Sequence, residues 1–253
     1  MINVFFRSAL TATLALLVFT NPAGAAETTV AVAANFTEAA KEIATAFTAK
    51  TGHTAVLSFG STGQFYTQIK QEAPFAVLLA ADAETPKKLE GDGLAVPGSR
   101  YTYAIGKLVL WGKTPGVPAD EATLKGGRFE KLSIANPKVA PYGAAGVQVL
   151  TRLGLTDALT SKLVQGTSIA QAFQFVDTGN AELGFVALSQ VIAKAGAQYW
   201  LVPAALYDPI LQDAVLLKKG EADAAARAFL AFLKGPEARK VIERYGYGLA
   251  SGG

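Results

Sequence analysis

Four stretches of this chain set small, uncharged, hydrogen-bonding residues at the start of a helical pattern: Asn35-Phe36, Ser61-Thr62, Pro141-Tyr142-Gly143 and Thr167-Ser168-Ile169. A helix start leaves its first N–H groups without intrahelical acceptors and carries partial positive charge, so each can hold an anion through neutral donors. A Ser, Thr or Asn at such a start most often caps its own helix, and one start alone indicates nothing more. Four with the same chemistry carry more weight. Each adds a few tenths to about 1 kcal/mol at an exposed surface, and more where water is excluded.

The absence of charge narrows the choice of anion. Segment 58–70, SFGSTGQFYTQIK, has no charged residue before Lys70, and none of the last three turns contains Asp or Glu. Glu38, three residues after Asn35, is assigned to a capping box with it. A buried protonated oxyanion needs an acceptor for its proton, usually a carboxylate, whereas a fully ionised tetrahedral dianion needs only donors. Sulfate, molybdate and tungstate meet that condition; hydrogen phosphate fits less well.

The elements that must position these turns follow from the hydrophobic pattern. Residues 28–33, 54–58, 75–80 and 132–135 are short β-branched or apolar runs that read as buried strands, and helical patterns follow them. Strands and helices alternating through short links imply parallel pairing by right-handed crossovers, an α/β arrangement covered on both faces. Ligands of such sheets sit beyond the carboxyl ends of the strands, where these turns fall. Residues 101–111, YTYAIGKLVLW, read as one strand longer than usual, suited to passing between lobes. A second connection around 200–203 encloses a middle α/β section. The expected fold is therefore bilobal: two α/β lobes joined by two crossing strands, with the ligand cleft between them and two of the four turns in each lobe. The expected boundaries are 27–107 with 205–253 for the first lobe and 108–204 for the second.

Composition removes several function classes. Arg7 precedes an apolar run too short to span a membrane, and small residues follow at 23–26, the layout of an export signal over 1–26. There is no Cys, hence no disulfide, thiolate metal site or lipid-modified cysteine. The single His, His53, reads as a solvent-facing turn residue; a His-based metal cluster and a Ser-His-Asp triad are both out of reach. Beyond residue 26, 22 basic residues face 20 acidic ones, a charge of only +2 with no basic run interleaved with aromatics. Nucleic acid is not an expected partner. No apolar helix face or heptad pattern asks for a second copy, so a monomer is expected.

The combination of AANF at 33–36, GSTGQFYTQI at 60–69, SRYTYAIGKLVLW at 99–111, APYGAAGVQVL at 140–150 and AELGFVAL at 181–188 resembles the periplasmic molybdate-binding proteins of ABC-type molybdate importers. The resemblance covers nearly all of the chain beyond the leader. It implies a type II solute-binding fold, no catalysis and no cofactor, molybdate or tungstate as the ligand, and a membrane permease as the partner. Carried over residue by residue, it places Ala34 and Asn35 in the first turn, Ser61 and Thr62 in the second, and Tyr142 with the N–H of Ile169 in the far lobe. All are contacts to the oxyanion and none is a direct metal ligand. The chain departs from some members of that family at Ala187, where they have a Tyr, so Tyr142 supplies the phenol; Ala34 stands where a hydroxyl residue often sits and contributes backbone only.

Three other readings remain beside this one. A sulfate or thiosulfate carrier would share the fold. An iron carrier would draw on Tyr245 and Tyr247, but ferric sites want several tyrosinates with carboxylate or His support. A hydrolase using Ser61 would need a base, and His53 lies eight residues upstream across a strand.

Overall fold

A computed structural model of the chain describes residues 24–250. The export signal expected over 1–26 lies almost entirely outside the described residues. Among the described residues, ten strands form two five-stranded sheets flanked by ten α-helices. In chain order the first sheet receives β1 (Glu27–Ala33), β2 (Thr54–Gly60), β3 (Val77–Leu79) and β4 (Tyr101–Gly106), with α1 (Thr37–Thr51), α2 (Thr62–Lys70) and α3 (Glu84–Gly91) between them. The second holds β5 (Leu108–Gly112), β6 (Leu132–Ala135), β7 (Leu163–Gly166), β8 (Leu183–Ala187) and β9 (Tyr199–Leu201). Its helices are α4 (Glu121–Gly126), α5 (Pro141–Arg152), α6 (Thr156–Leu159), α7 (Ile169–Asp177) and α8 (Leu188–Val191). The chain then returns to the first sheet with β10 (Ile210–Leu216) and ends in α9 (Ala224–Lys234) and α10 (Pro236–Arg244).

The strand orders are β2-β1-β3-β10-β4 and β7-β6-β8-β5-β9. The strands joined by helical crossovers pair in parallel, and those that enter from the other lobe, β10 and β5, pair antiparallel. Each sheet is covered on both faces. Val30 and Val32 face the cluster built on Phe36, Phe47 and Phe229, while Ala31 between them faces Phe65 and Leu89. This is why β1 reads as a continuous apolar run although its side chains alternate. Phe47 and Phe229 meet edge to face at 5.3 Å, both fully buried. Truncating a side chain of that kind to Ala costs about 3–5 kcal/mol.

The run 101–111 is two strands rather than one. β4 pairs with β10 in the first sheet and β5 with β8 in the second, and the exposed Lys107 is where the chain changes sheets. Periodicity does not register such a break, because both halves are apolar and extended. The break has a purpose in packing: a Cβ on Gly106 would lie 2.3 Å from the Tyr142 hydroxyl oxygen and 2.7 Å from Nε2 of Gln212. Two more local expectations change. Asn35 lies within a single 3-10 turn, Ala34–Phe36, and makes no cap for α1; Glu38 pairs with Lys41 at 2.8 Å instead. His53 is half-buried, its Nδ1 accepting the N–H of Ala26 at 3.1 Å, so it anchors the entry to β1.

Candidate functional site

All four helix starts point at one place. Ala34, Ser61, Thr62, Tyr142 and Ile169 line a small, tightly closed cavity between the lobes, whose wall is completed by Ala33, Gly60, Ala81, Ala140 and Pro141. Strands β1 and β2 end there, β6 ends one loop before Ala140, and β7 ends one short turn before Ile169. Some of the leading N–H groups are already engaged, Gly63 to the Val139 carbonyl, Gly143 to the Ala140 carbonyl and Gln171 to the Ser168 hydroxyl, so the donors facing the cavity are the N–H groups of Ala34, Thr62, Tyr142 and Ile169.

The side chains divide into those that are free and those that are engaged. Ser61 is 4% exposed and its hydroxyl has no partner in the protein. A buried hydroxyl left that way costs about 1–3 kcal/mol until a ligand takes it up. The Thr62 hydroxyl oxygen accepts the N–H of Ala81 at 2.9 Å, which leaves its hydrogen to donate. Tyr142 is 1% exposed; its oxygen accepts from Nε2 of Gln212 at 3.0 Å, and its own hydrogen is likewise to spare. Asn35 stands behind Ala34, off the cavity wall, with Nδ2 donating to Oε1 of Gln212 at 2.9 Å and to the Tyr247 hydroxyl at 3.0 Å. Ser168 caps α7 by accepting from Gln171 at 3.3 Å.

No carboxylate lines this cavity. Three helix starts nearby have a Gln rather than a Glu accepting a leading backbone N–H: Gln64 accepts from the N–H of Ser61 at 3.2 Å, Gln171 from Thr167 at 2.6 Å and Gln190 from Ala187 at 2.9 Å. Glu in those positions would satisfy the same donors but set negative charge beside a bound anion. The one titratable group in the wall is Tyr142. Burial, reinforced by the neighbouring phenols Tyr247 and Tyr103, pushes it well above the ordinary tyrosine value, so it stays neutral and keeps its proton.

The lobes meet directly around this cavity. Gly63 of α2 donates its N–H to the carbonyl of Val139 at 2.9 Å. On the other flank Ser189 of α8 donates to the carbonyl of Asn35 at 2.8 Å, and the Tyr247 hydroxyl donates to that same carbonyl at 2.7 Å. Tyr247 is buried by this bracing role, whereas Tyr245 is only partly buried, so the two phenols of the terminal YGY do not form a common site. His53 sits at the far end of the seven-residue β2 from Ser61, roughly 26 Å away at strand rise. Sequence reasoning passed over Gln212, Tyr103 and Ser189, and weighed Tyr247 only as part of an iron site. The available signal was Gln212-Asp213, two polar residues inside the apolar run of β10, both fully buried.

Residues 28–248 match the family described as bacterial extracellular solute-binding protein. The chain belongs to that family. This solute-binding protein is 61% identical over 231 residues to the molybdate-binding protein ModA of Azotobacter vinelandii, covering 90% of this chain and 92% of the relative. It is 58% identical over 226 residues to ModA of Rhodobacter capsulatus, covering 89% and 90%. Among solved structures it superposes on the Azotobacter vinelandii periplasmic molybdate-binding protein with a TM-score of 0.84 at 44% identity, covering 88% of this chain and 100% of that one. The two-lobed solute-binding fold anticipated from the strand and turn pattern is the one that structure shares.

Proposed function

We propose that the protein captures molybdate, with tungstate as an equivalent cargo, in the cavity between its lobes and delivers it to the membrane permease of an ABC importer. The observation that carries this reading is the convergence of four helix starts from two lobes on a cavity without a carboxylate, in a chain closely similar to proteins named as molybdate-binding. Donors would come from the hydroxyls of Ser61, Thr62 and Tyr142 and from N–H groups at Ala34, Tyr142 and Ile169, with Asn35 bracing the first turn. The oxygens of the anion make every contact, so the metal itself has no protein ligand. Such a site binds rather than catalyses. Ser61 has no general base beside it, and the chemistry on offer is hydrogen bonding to a fully ionised dianion.

The protein would act as a monomer in the periplasm, exported by the segment 1–26, with closure of the lobes around the anion as the signal read by the permease. Titration calorimetry tests the cargo. Binding of molybdate at micromolar or tighter affinity, about 8 kcal/mol or more, is expected. Heat with sulfate and none with molybdate would change the cargo and leave the fold untouched.

A further inference from the structure

Gln212 lies in β10, 0% exposed, at the centre of a hydrogen-bond network that joins the two lobes behind the cavity. Its Oε1 accepts from Nδ2 of Asn35 at 2.9 Å and lies 3.1 Å from the Tyr103 hydroxyl, whose one hydrogen is shared between Oε1 and the Ala80 carbonyl oxygen, also at 3.1 Å. Asn35 and Tyr103 both belong to the first lobe. With its oxygen turned to Asn35, the amide presents Nε2 to the phenol of Tyr142 from the second lobe at 3.0 Å. A phenol has one hydrogen. Once its oxygen accepts from Gln212, that hydrogen is released toward the cavity that Tyr142 lines.

We propose that Gln212 is a positioning residue that turns Tyr142 into an obligate donor: it sets the direction of the phenol hydrogen on closure and so selects an oxyanion oxygen that carries no proton. This inference rests on the oxyanion reading of the cavity. Without Gln212 the phenol could rotate and present a lone pair, which would suit a protonated oxyanion as well as an ionised one. Discrimination of that kind arises from leaving a buried polar group without its partner rather than from cavity size.

The test is a double-mutant cycle on purified protein with molybdate, Gln212→Met against Tyr142→Phe, read by calorimetry and thermal melting. Gln212→Met is expected to weaken molybdate binding about tenfold in the native background and less than about twofold once Tyr142→Phe has removed the hydroxyl. An equal loss in both backgrounds, or no loss in either, would overturn the proposal, since Gln212 would then act through packing or not at all. If the Met variant fails to melt cooperatively, Gln212→Glu replaces it. Glu keeps the acceptor for Asn35 and Tyr103 but accepts from Tyr142, and its loss must be larger with the phenol present than without it. Should the native protein bind sulfate and not molybdate, the cargo assignment falls and the same cycle is read with sulfate. Binding of none of molybdate, tungstate and sulfate would overturn both.

Discussion

Gly63 approaches Val139 so closely that their backbones touch across the cleft: the N–H of Gly63 lies 2.9 Å from the Val139 carbonyl oxygen, and a Cβ added to Gly63 would sit 2.9 Å from the Val139 Cα. The two residues belong to different lobes, so this contact exists only when the cleft is shut. Gly63→Ala should therefore separate closure from folding. In α2 the change raises helix propensity by up to about 1 kcal/mol, whereas the clash it creates in the closed form costs about 1–3 kcal/mol. The expected outcome is an unliganded melting temperature equal to or above the native one, with molybdate affinity at least about fivefold weaker. Small-angle scattering should show less compaction on adding ligand than in the native protein.

The adjacent hydroxyls of Ser61 and Thr62 should part company under truncation. Ser61 has no protein partner, so Ser61→Ala should leave stability unchanged or slightly raised and lower oxyanion affinity about tenfold or more, the scale of one hydrogen bond to a charged group. Thr62→Ala strips the acceptor from the buried N–H of Ala81, and about 1–3 kcal/mol of stability should go with it. Thr62→Ser should restore most of that stability. Urea denaturation and calorimetry on the three variants check both halves.

Affinity should be nearly independent of pH from about 6 to 9. Tyr142 is the only titratable side chain in the cavity wall, and its pKa is raised by burial above the ordinary value of about 10. Over that range it remains a neutral donor, and loss of binding is expected only at more alkaline pH. A titration curve with a midpoint near neutrality would place another ionisable group against the ligand.

Asp82 should make stability pH-dependent in the opposite sense to an ion-paired carboxylate. Burial raises its pKa, against the lowering effect of the bonds from the N–H and hydroxyl of Thr85. The native state then holds its proton after the unfolded chain has lost it, so stability falls as pH rises from about 4, the ordinary Asp value, through the raised native value. Asp82→Asn keeps an acceptor for Thr85 and removes that dependence. It should be more stable than the native protein at pH 7, with the advantage gone below about pH 4, as followed by urea denaturation across pH.

What could be read from the chain is what depends on local order. The continuous apolar runs of β1 and β6, and Gly52 ending α1 with φ 75° and its N–H on the Thr48 carbonyl, are written within a few residues of where they act. The turns at Ser61 and Pro141 are legible for the same reason. Partnerships across the chain are not. Asn35 bonds to Gln212 and Tyr247 at separations of 177 and 212 residues, so the local rule that pairs it with Glu38 competes with contacts no local rule contains. Lys107, where one apparent strand becomes two, looks like any polar residue in an extended run until the partners of β4 and β5 are known.

The place of β10 in the first sheet bears on how the protein is made. It lies between β3 and β4, so those two strands have no common neighbour until residue 210 and beyond have been synthesised. A nascent chain that stops short of this point cannot complete its first lobe, however well β1, β2 and β3 are patterned. Late pairing of this kind slows folding, because distant segments must meet before their contacts stabilise anything. Under the export proposed above, that delay would be useful: the strand that completes the sheet would be among the last to emerge.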